Sequence, residues 1–582
     1  MMEQYYKAVE KETNVLKKTH RDIFLQKVPS EIDFFLNLPP NSSYKAKYRF
    51  SKLKPIPPNS PEMRLQLIVQ EERGKEQLIY EEFLSVRSKH KRLEVGLHDF
   101  EGIVKLGLRV TADKKEFPLQ GFLEWKDASI IFKPENTKNS SLPVPAPELS
   151  ELRESLQNKN TIIVVLDAAR PDHFSAYGYF RPTTPCISQF ARESVVFSNA
   201  FSEALTTRSS ISTLFTGYSV EVTSIKGFYS KLPPELPTLA QKFKKRRFHT
   251  TGFTGMGNTG SVFNFDRGFD EYFELYKYEG FYRKSQEYIP YIFKWLEENT
   301  NKNFFLYIHF KEPHAVYIPV PEFRGLFSES YKEKVGLEKE YKEKSSSLTP
   351  GQIQYVHACY DETLASVDSA FGQFVEKLKK LNLLNQSIVM LIADHGEYLG
   401  EKDSFGHGIS FDEPGIRIPF IIRFPDAIQK ELPSQVNSVV KMTDIFATLV
   451  DIYQLENVPD LGEGKSLLPL LINPEQEINS GIILGKMGLP GYCYRTKQYK
   501  LIYWEDGDIK FYNLNKDPQE KVNLYTKQNI RANYMLGELK KWLYKQRSLK
   551  EMLIQRKAPG EKRKTEIDKK TLDNLKALGY IK

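Results

Sequence analysis

Cysteine is scarce in this 582-residue chain: Cys186, Cys359 and Cys493 stand far apart, with no C-x-x-C spacing. That argues against a disulfide framework and a thiolate zinc site, and the three read as small buried hydrophobes. Long apolar runs are also lacking. No stretch of about 18 apolar residues occurs, and the opening "MMEQYYKAVEKETNVLKKTHRDIFLQ" is charged and helix-like, without the apolar core of a secretory signal. The chain therefore reads as soluble and cytoplasmic, with no transmembrane segment. Internal repeats and low-complexity tracts are missing as well. With 40% hydrophobic residues and 33 each of glycine and proline, the composition is that of a folded globular protein with a large core.

A strong charge of one sign is likewise absent: 83 basic and 74 acidic residues leave a net +9. Two basic clusters, "KFKKRRFH" (242–249) and "RKAPGEKRKTEIDKK" (556–570), lack the interleaved aromatics of a nucleic-acid surface. The first falls where a helix should end, and cations suit that end of the helix dipole. No nucleic-acid partner is expected.

What the chain does contain is organised in blocks. Residues 1–26 read as an N-terminal helical segment. Over 27–135, short runs such as "EMRLQLIVQEE" and "RLEVGLHDF" alternate apolar and polar residues between turn formers, which predicts an all-β, jelly-roll-like sandwich. A proline-rich linker occupies 136–157. From 158 to 480 the pattern changes to apolar runs ("NTIIVVLD", "NFFLYIHF", "SIVMLIAD", "IPFIIRFP") alternating with amphipathic stretches. Such runs are strands buried on both faces, so an α/β domain with helices on both sides of a central sheet is expected. Residues 481–550 read as a small antiparallel subdomain, with a hairpin at Asp506-Gly507, and a helix. Residues 551–582 read as a basic tail.

Two of the buried strands end in carboxylates, Asp167 and Asp394, the latter followed by His395. Ligands of open α/β sheets collect beyond the carboxyl ends of the strands, so both acids are expected to face one site. The segment "EALTTRSSISTLFTG" (203–217) adds seven hydroxyls in fifteen positions. Two Asp, a His and a hydroxyl form an O/N donor set suited to Mn²⁺, Zn²⁺ or Mg²⁺, with the imidazole weighing against Ca²⁺. A hydroxyl such as Thr207 is a poor nucleophile unless its pKa is lowered, and a divalent cation does this. At a helix N-terminus, Thr207 would also share a site that favours oxyanions. The bland alternative for Thr207 is an N-cap. His309, inside an apolar strand, reads as core.

The stretch from "IIVVLDAARPDHFSAYGYFRPTTP" to "TTRSSISTLFTG", with "FFLYIHFKEPHAVY", "LIADHGEYLGEKDSFGHG", "GIRIPFIIRFP" and the terminal "LDNLKALGYIK", resembles the sulfatase branch of the alkaline-phosphatase superfamily. The departures bear on the chemistry. Sulfatases carry C-x-P-S-R, whose Cys becomes formylglycine; in that register Thr207 stands at the Cys, Ser209 at the Pro and Ile211 at the Arg. Their paired Asp and Asp-Asn correspond to Asp167-Ala168 and Asp394-His395.

Thr with Asp-His is similar to the phosphonate monoester and phosphodiester hydrolases and to the phosphoethanolamine and phosphoglycerol transferases. The resemblance implies one divalent metal held by Asp167, Thr207, Asp394 and His395, with Mn²⁺ or Zn²⁺ favoured and Mg²⁺ or Ca²⁺ as alternatives. Glu312, His314 and His407 are candidates for a second metal, but "EPH" lacks the D-x-x-x-H spacing. His314 and His407 are implied as catalytic and substrate-binding histidines, with Arg208 as a further substrate-binding cation. Arg170 and Asp172 are expected to pair or to orient their loop.

The expected activity is hydrolysis of phosphate or phosphonate esters through a covalent Thr207 intermediate. The substrate is expected to be an anionic ester, small or linked to lipid or glycan. Alternatives are transfer to an acceptor alcohol, a sulfatase without formylglycine, or an inactive glycan-binding relative.

Overall fold

The computed structural model describes residues 15–17, 23–28, 30–52, 63–84, 91–112, 121–132, 147–225, 229–278, 284–455, 463–486, 491–527, 529–554 and 567–577. The chain falls into two compact units, one built on residues up to 144 with 509–512 and 523–545, the other on 145–508, 513–522 and 546–582.

In the first unit, two antiparallel sheets enclose one core. One sheet runs Val15–Lys17, Ile23–Val28, Gly121–Phe132, Ser42–Lys52, Lys91–Gly96; the other runs Ser30–Leu38, Gly102–Ala112, Met63–Glu71, Gln77–Leu84. Inward residues of both sheets, including Tyr48 and Trp125 from the first and Leu65 and Leu106 from the second, belong to a single buried cluster, as a sandwich requires. The expected helix over 1–26 is not what the described part of it forms. Residues 15–17 pair with 23–28, which pair in turn with 121–126, so sheet hydrogen bonding overrides a helix-like composition.

The second unit carries a nine-stranded sheet. Its order is Glu271–Glu274, His249–Thr254, Phe304–Pro313, Asn160–Asp167, Ser387–Ala393, Phe420–Arg423, Val195–Phe201, Arg417–Ile418, with Gln435–Lys441 also paired to Val195–Phe201. The first five strands are mutually parallel, so their carboxyl ends lie along one edge. Strands Asn160–Asp167, Phe304–Pro313 and Ser387–Ala393 are buried along their whole length, as their unbroken apolar runs predict.

Neighbouring side chains show that helices cover both faces. The Phe304 ring packs edge-on against Trp295 of helix Ser285–Glu298, whereas Phe305 stacks on Phe243 of helix Leu239–Lys245 at 4.6 Å. Consecutive strand residues point to opposite faces, so these two helices do too. Tyr307, two residues beyond Phe305, meets Phe215 of helix Thr207–Thr216. His309 comes next on that same face.

Two further expectations are corrected. The proline-rich linker ends in a helix, Pro147–Leu156, because Leu149, Leu152 and Leu156 recur at helical spacing and pack on the main core. The basic tail contains helix Lys569–Ala577, whose Leu575 is buried in that core; residues 555–566 lie outside the described ones. Gly507 turns the expected hairpin at φ +102°. Among the described residues, no helix is long and apolar enough to cross a membrane.

Candidate active site

Asp167 closes its strand and Ala168 takes a left-handed conformation (φ +61°), which turns the chain over the sheet edge. The Ala168 and His395 amides both donate to Asp394 Oδ1, at 3.1 and 2.9 Å, and so lock that carboxylate. Tyr360 fastens the same loop, donating to the Ala168 carbonyl and accepting from the Arg170 amide.

Helix Thr207–Thr216 begins beside these strand ends. Its N-cap residue is Thr206, in extended conformation, and Thr207 is the first helical residue, so Thr207 is not the cap. Most of the surrounding hydroxyls have structural roles: Ser212, Thr213 and Thr216 bond back to carbonyls of their own helix, and Ser210 ties the helix to the Asp394 carbonyl. Thr207 Oγ1 instead lies 3.2 Å from His395 Nε2 and 3.5 Å from Asp167 Oδ2. Thus Asp167, Thr207, Asp394 and His395, drawn from three separate stretches of sequence, share one fully buried cluster.

The electrostatics of that cluster are unbalanced. Asp167 Oδ1 and Asp394 Oδ2 are buried with no hydrogen-bond partner among the described residues, and so is His309 Nε2. One donor atom from each of Asp167, His309 and Asp394 lies within 4.8 Å of the others. Burial, with Asp394 and Glu397 close by, pushes the Asp167 carboxyl well above its usual range. Burial likewise pushes His309 down to about 4 and lowers His395. His395 bonds the Gly396 carbonyl through Nδ1, which leaves Nε2 facing Asp167 Oδ1 at 3.6 Å and Asp394 Oδ2 at 3.5 Å. Two buried carboxylates facing neutral imidazoles and a hydroxyl form a donor set that a divalent cation satisfies.

His309 therefore departs from its reading as core: it is buried, but it faces the carboxylates. Its Nδ1 bonds the Tyr307 hydroxyl at 2.9 Å, and Nε2 stands 3.8 Å from Asp167 Oδ2 and 3.9 Å from Asp394 Oδ2.

A second layer of histidines adjoins the first. The His407 ring lies 4.3 Å from that of His395 and 4.9 Å from that of His314, centre to centre. Glu397 Oε2 meets His407 Nδ1 at 3.0 Å while Oε1 accepts from the Tyr317 hydroxyl at 2.8 Å. Burial alone would raise Glu397, but His407 and its hydrogen bond outweigh it and bring the carboxyl down to about 2. Burial and the neighbouring His407 hold His314 well below its usual value.

Glu312 does not join His314 and His407; its carboxylate accepts from the Ser285 amide. Among the described residues, the second group able to hold a metal is His395, Glu397 and His407. Arg170 pairs with Asp172 at 2.7 Å, as expected, and also donates to the Glu397 carbonyl. Arg208 donates from Nε and Nη2 to Asn258 and lies over the Phe263 ring.

Beyond His309, sequence reading assigned no role to Glu397, although it stands in the quoted D-H-G-E motif, nor to Tyr317 or Asn258.

The fold and these strand-end residues define a sulfatase-like branch of the alkaline-phosphatase superfamily. Residues 159–455, just over half of the chain, match the family model described as Sulfatase. The chain belongs to the sulfatase family. Residues 400–549 also match the model for the C-terminal part of N-sulphoglucosamine sulphohydrolase.

Among curated relatives, an ulvan-active sulfatase of Formosa agariphila is 31% identical over 186 residues, 30% of this chain and 35% of that protein. Arylsulfatase K of Gallus gallus is 28% identical over 197 residues, 31% of this chain and 36% of that one. The chain thus spans about a third of the length of the curated relatives it matches there. A solved structure of the phosphonate monoester hydrolase of Agrobacterium radiobacter superposes with a TM-score of 0.56 at 18% identity, covering 67% of this chain and 96% of that one. It shows the shared fold.

Proposed function

We propose that the chain is a metal-dependent hydrolase of phosphate or phosphonate esters in which Thr207 is the covalent nucleophile. The observation that carries this reading is the placement of Thr207 Oγ1 at a helix start, 3.2 Å from His395 Nε2 and beside Asp167. Asp167, Thr207, Asp394 and His395, with His309 in reach, would hold the ion. A bound Mn²⁺ or Zn²⁺ would lower the hydroxyl pKa and offset charge on the ester oxygens.

The residues divide the remaining work. Thr207 Oγ1 gives its proton to solvent water and bonds to phosphorus as the bond to the leaving oxygen breaks. His407 gives the departing oxygen its proton, with the neutral His314 ring beside it. Glu397 fixes the His407 ring through Nδ1 and so directs Nε2 away from itself. Backbone amides of the first helical turn favour the negative charge on the phosphoryl oxygens. Water then attacks phosphorus, releasing phosphate or phosphonate and restoring the hydroxyl. Arg208 is proposed to help place the anionic ester, although Asn258 and Phe263 hold its guanidinium.

A second reading, cleavage of sulfate esters, is favoured by the names of the relatives, which are sulfatases. Against it stands Thr207, which cannot become the formylglycine of the sulfatase motif. A matched panel of p-nitrophenyl phosphate, phosphate diester, phosphonate ester and sulfate separates the two. Turnover of a phosphorus ester that is lost in Thr207→Ala supports the proposal; turnover of the sulfate alone establishes the second reading.

A further inference from the structure

Helix Lys569–Ala577 belongs to the part of the chain with the least apparent purpose, yet it touches the turn Gly257–Thr259, which neighbours the helix that Thr207 begins. Asp568 caps it, accepting from the Thr571 amide and hydroxyl, and also pairs with Lys277 at 3.2 Å. The Thr571 hydroxyl lies 3.1 Å from the Tyr276 hydroxyl, and Lys570 donates to the Lys277 carbonyl. Thr571, Asn574 and Leu575 are almost fully buried.

The contact nearest the site is made by Asn574, whose Oδ1 accepts from the Gly257 amide at 2.9 Å. The approach is so close that a Cβ on Gly257 would stand 2.7 Å from that oxygen. Gly257 opens the short turn Gly257–Thr259. The next residue, Asn258, accepts from Arg208 twice, at its carbonyl (3.0 Å) and at Oδ1 (3.1 Å). Asn258 Nδ2 is a buried donor with no partner among the described residues. Arg208 directly follows Thr207. The Asn574 acceptor therefore holds the start of a turn whose other end is tied by the Tyr272 hydroxyl, which donates to the Thr259 carbonyl at 2.6 Å, and the Gly257 amide loses its buried partner without it.

We propose that Asn574 is a positioning residue of the active site, fixing the Gly257–Thr259 turn so that Asn258 clamps Arg208 beside Thr207. This rests on the reading of Thr207 as the nucleophile and adds to it a role for the end of the chain.

The test compares Asn574→Leu, which keeps the bulk but removes the acceptor, with Asn574→Asp, which keeps an acceptor. Each is measured alone and with Arg208→Gln, for kcat and KM on the ester the parent turns over. A small misplacement near the chemistry costs on the order of 10- to 100-fold. Asn574→Leu is expected to lose about that much in kcat/KM, mainly in kcat, and Asn574→Asp to recover most of it. In the Arg208→Gln background the Leu change is expected to cost nothing further, because both act through one clamp. Losses that multiply in the double variant, or an Asn574→Leu enzyme as active as the parent, overturn the proposal.

A second readout is independent of the reaction. Phenylglyoxal modification of Arg208, followed by peptide mass spectrometry, should be faster in Asn574→Leu than in the parent or in Asn574→Asp. Equal rates in all three contradict the clamp. If the parent turns over no ester, the reading of Thr207 fails while Arg208 reactivity still decides the clamp. Should Asn574→Leu not fold, Asn574→Ala removes the same acceptor and takes its place.

Discussion

His309 Nε2 lies 3.8 Å from Asp167 Oδ2, and neither His309 Nε2 nor Asp167 Oδ1 has a hydrogen-bond partner among the described residues. In an apolar strand a histidine is ordinarily a satisfied core residue. Here the sheet turns it towards two carboxylates, and that makes it part of the proposed metal site.

The first prediction concerns that residue. His309→Gln should weaken divalent-metal binding about 10- to 100-fold, a loss typical of a removed ligand or of a supporting partner. Titration of the metal-stripped protein with Mn²⁺ or Zn²⁺ by calorimetry measures it. Unchanged affinity would return His309 to the core.

The second concerns His407 and its partner Glu397. A general acid matters most when the leaving oxygen is basic, so His407→Ala should cost about 10²- to 10⁴-fold on an alkyl ester and distinctly less on a nitrophenyl ester. Glu397→Gln, which removes the carboxylate that orients the ring, should show the same leaving-group pattern at smaller size. Rates across esters of graded leaving-group pKa check both; an equal loss on all of them argues against a proton donor.

A third prediction is one of stability against pH, away from the site. Asp368 accepts from the Cys186 and Ile187 amides at the start of helix Pro185–Arg192, and burial raises its carboxyl from 3.8 to about 6. A folded-state value above the unfolded one means that the native state holds the proton more tightly. The stabilisation is present below the unfolded value of 3.8 and is lost as pH rises through about 6. Asp368→Asn, which carries no titrating group, should lack this fall of up to about 3 kcal/mol. Urea unfolding of both proteins from pH 3.5 to pH 7 measures the difference, with 3.5 and 7 chosen as rough limits around that window.

Much of this architecture was legible in the sequence. The runs at 160–167 and 387–393 are the strands that apolar continuity predicts, because burial on both faces leaves no room for polar alternation. Asp167 and Asp394 were readable as candidate site residues because they stand at the ends of such strands.

His309 was not, since its place among apolar neighbours signals burial but not the direction it faces. That direction depends on the face shared with Phe305 and Tyr307, which only the packed helices reveal. The helix at 147–156 was hidden by prolines preceding it, and the one at 569–577 by its charge; each is held by leucines that pack on a core assembled from distant segments.

The central claim is that Thr207 forms the covalent intermediate. Its most direct test is acid quenching during turnover of a phosphorus ester, followed by peptide mapping of residues 203–217. The account predicts a phosphoryl or phosphonyl group on Thr207 in the parent protein and no adduct in Thr207→Ala, with turnover lost. Full turnover by Thr207→Ala, or an adduct mapped to another residue, contradicts it.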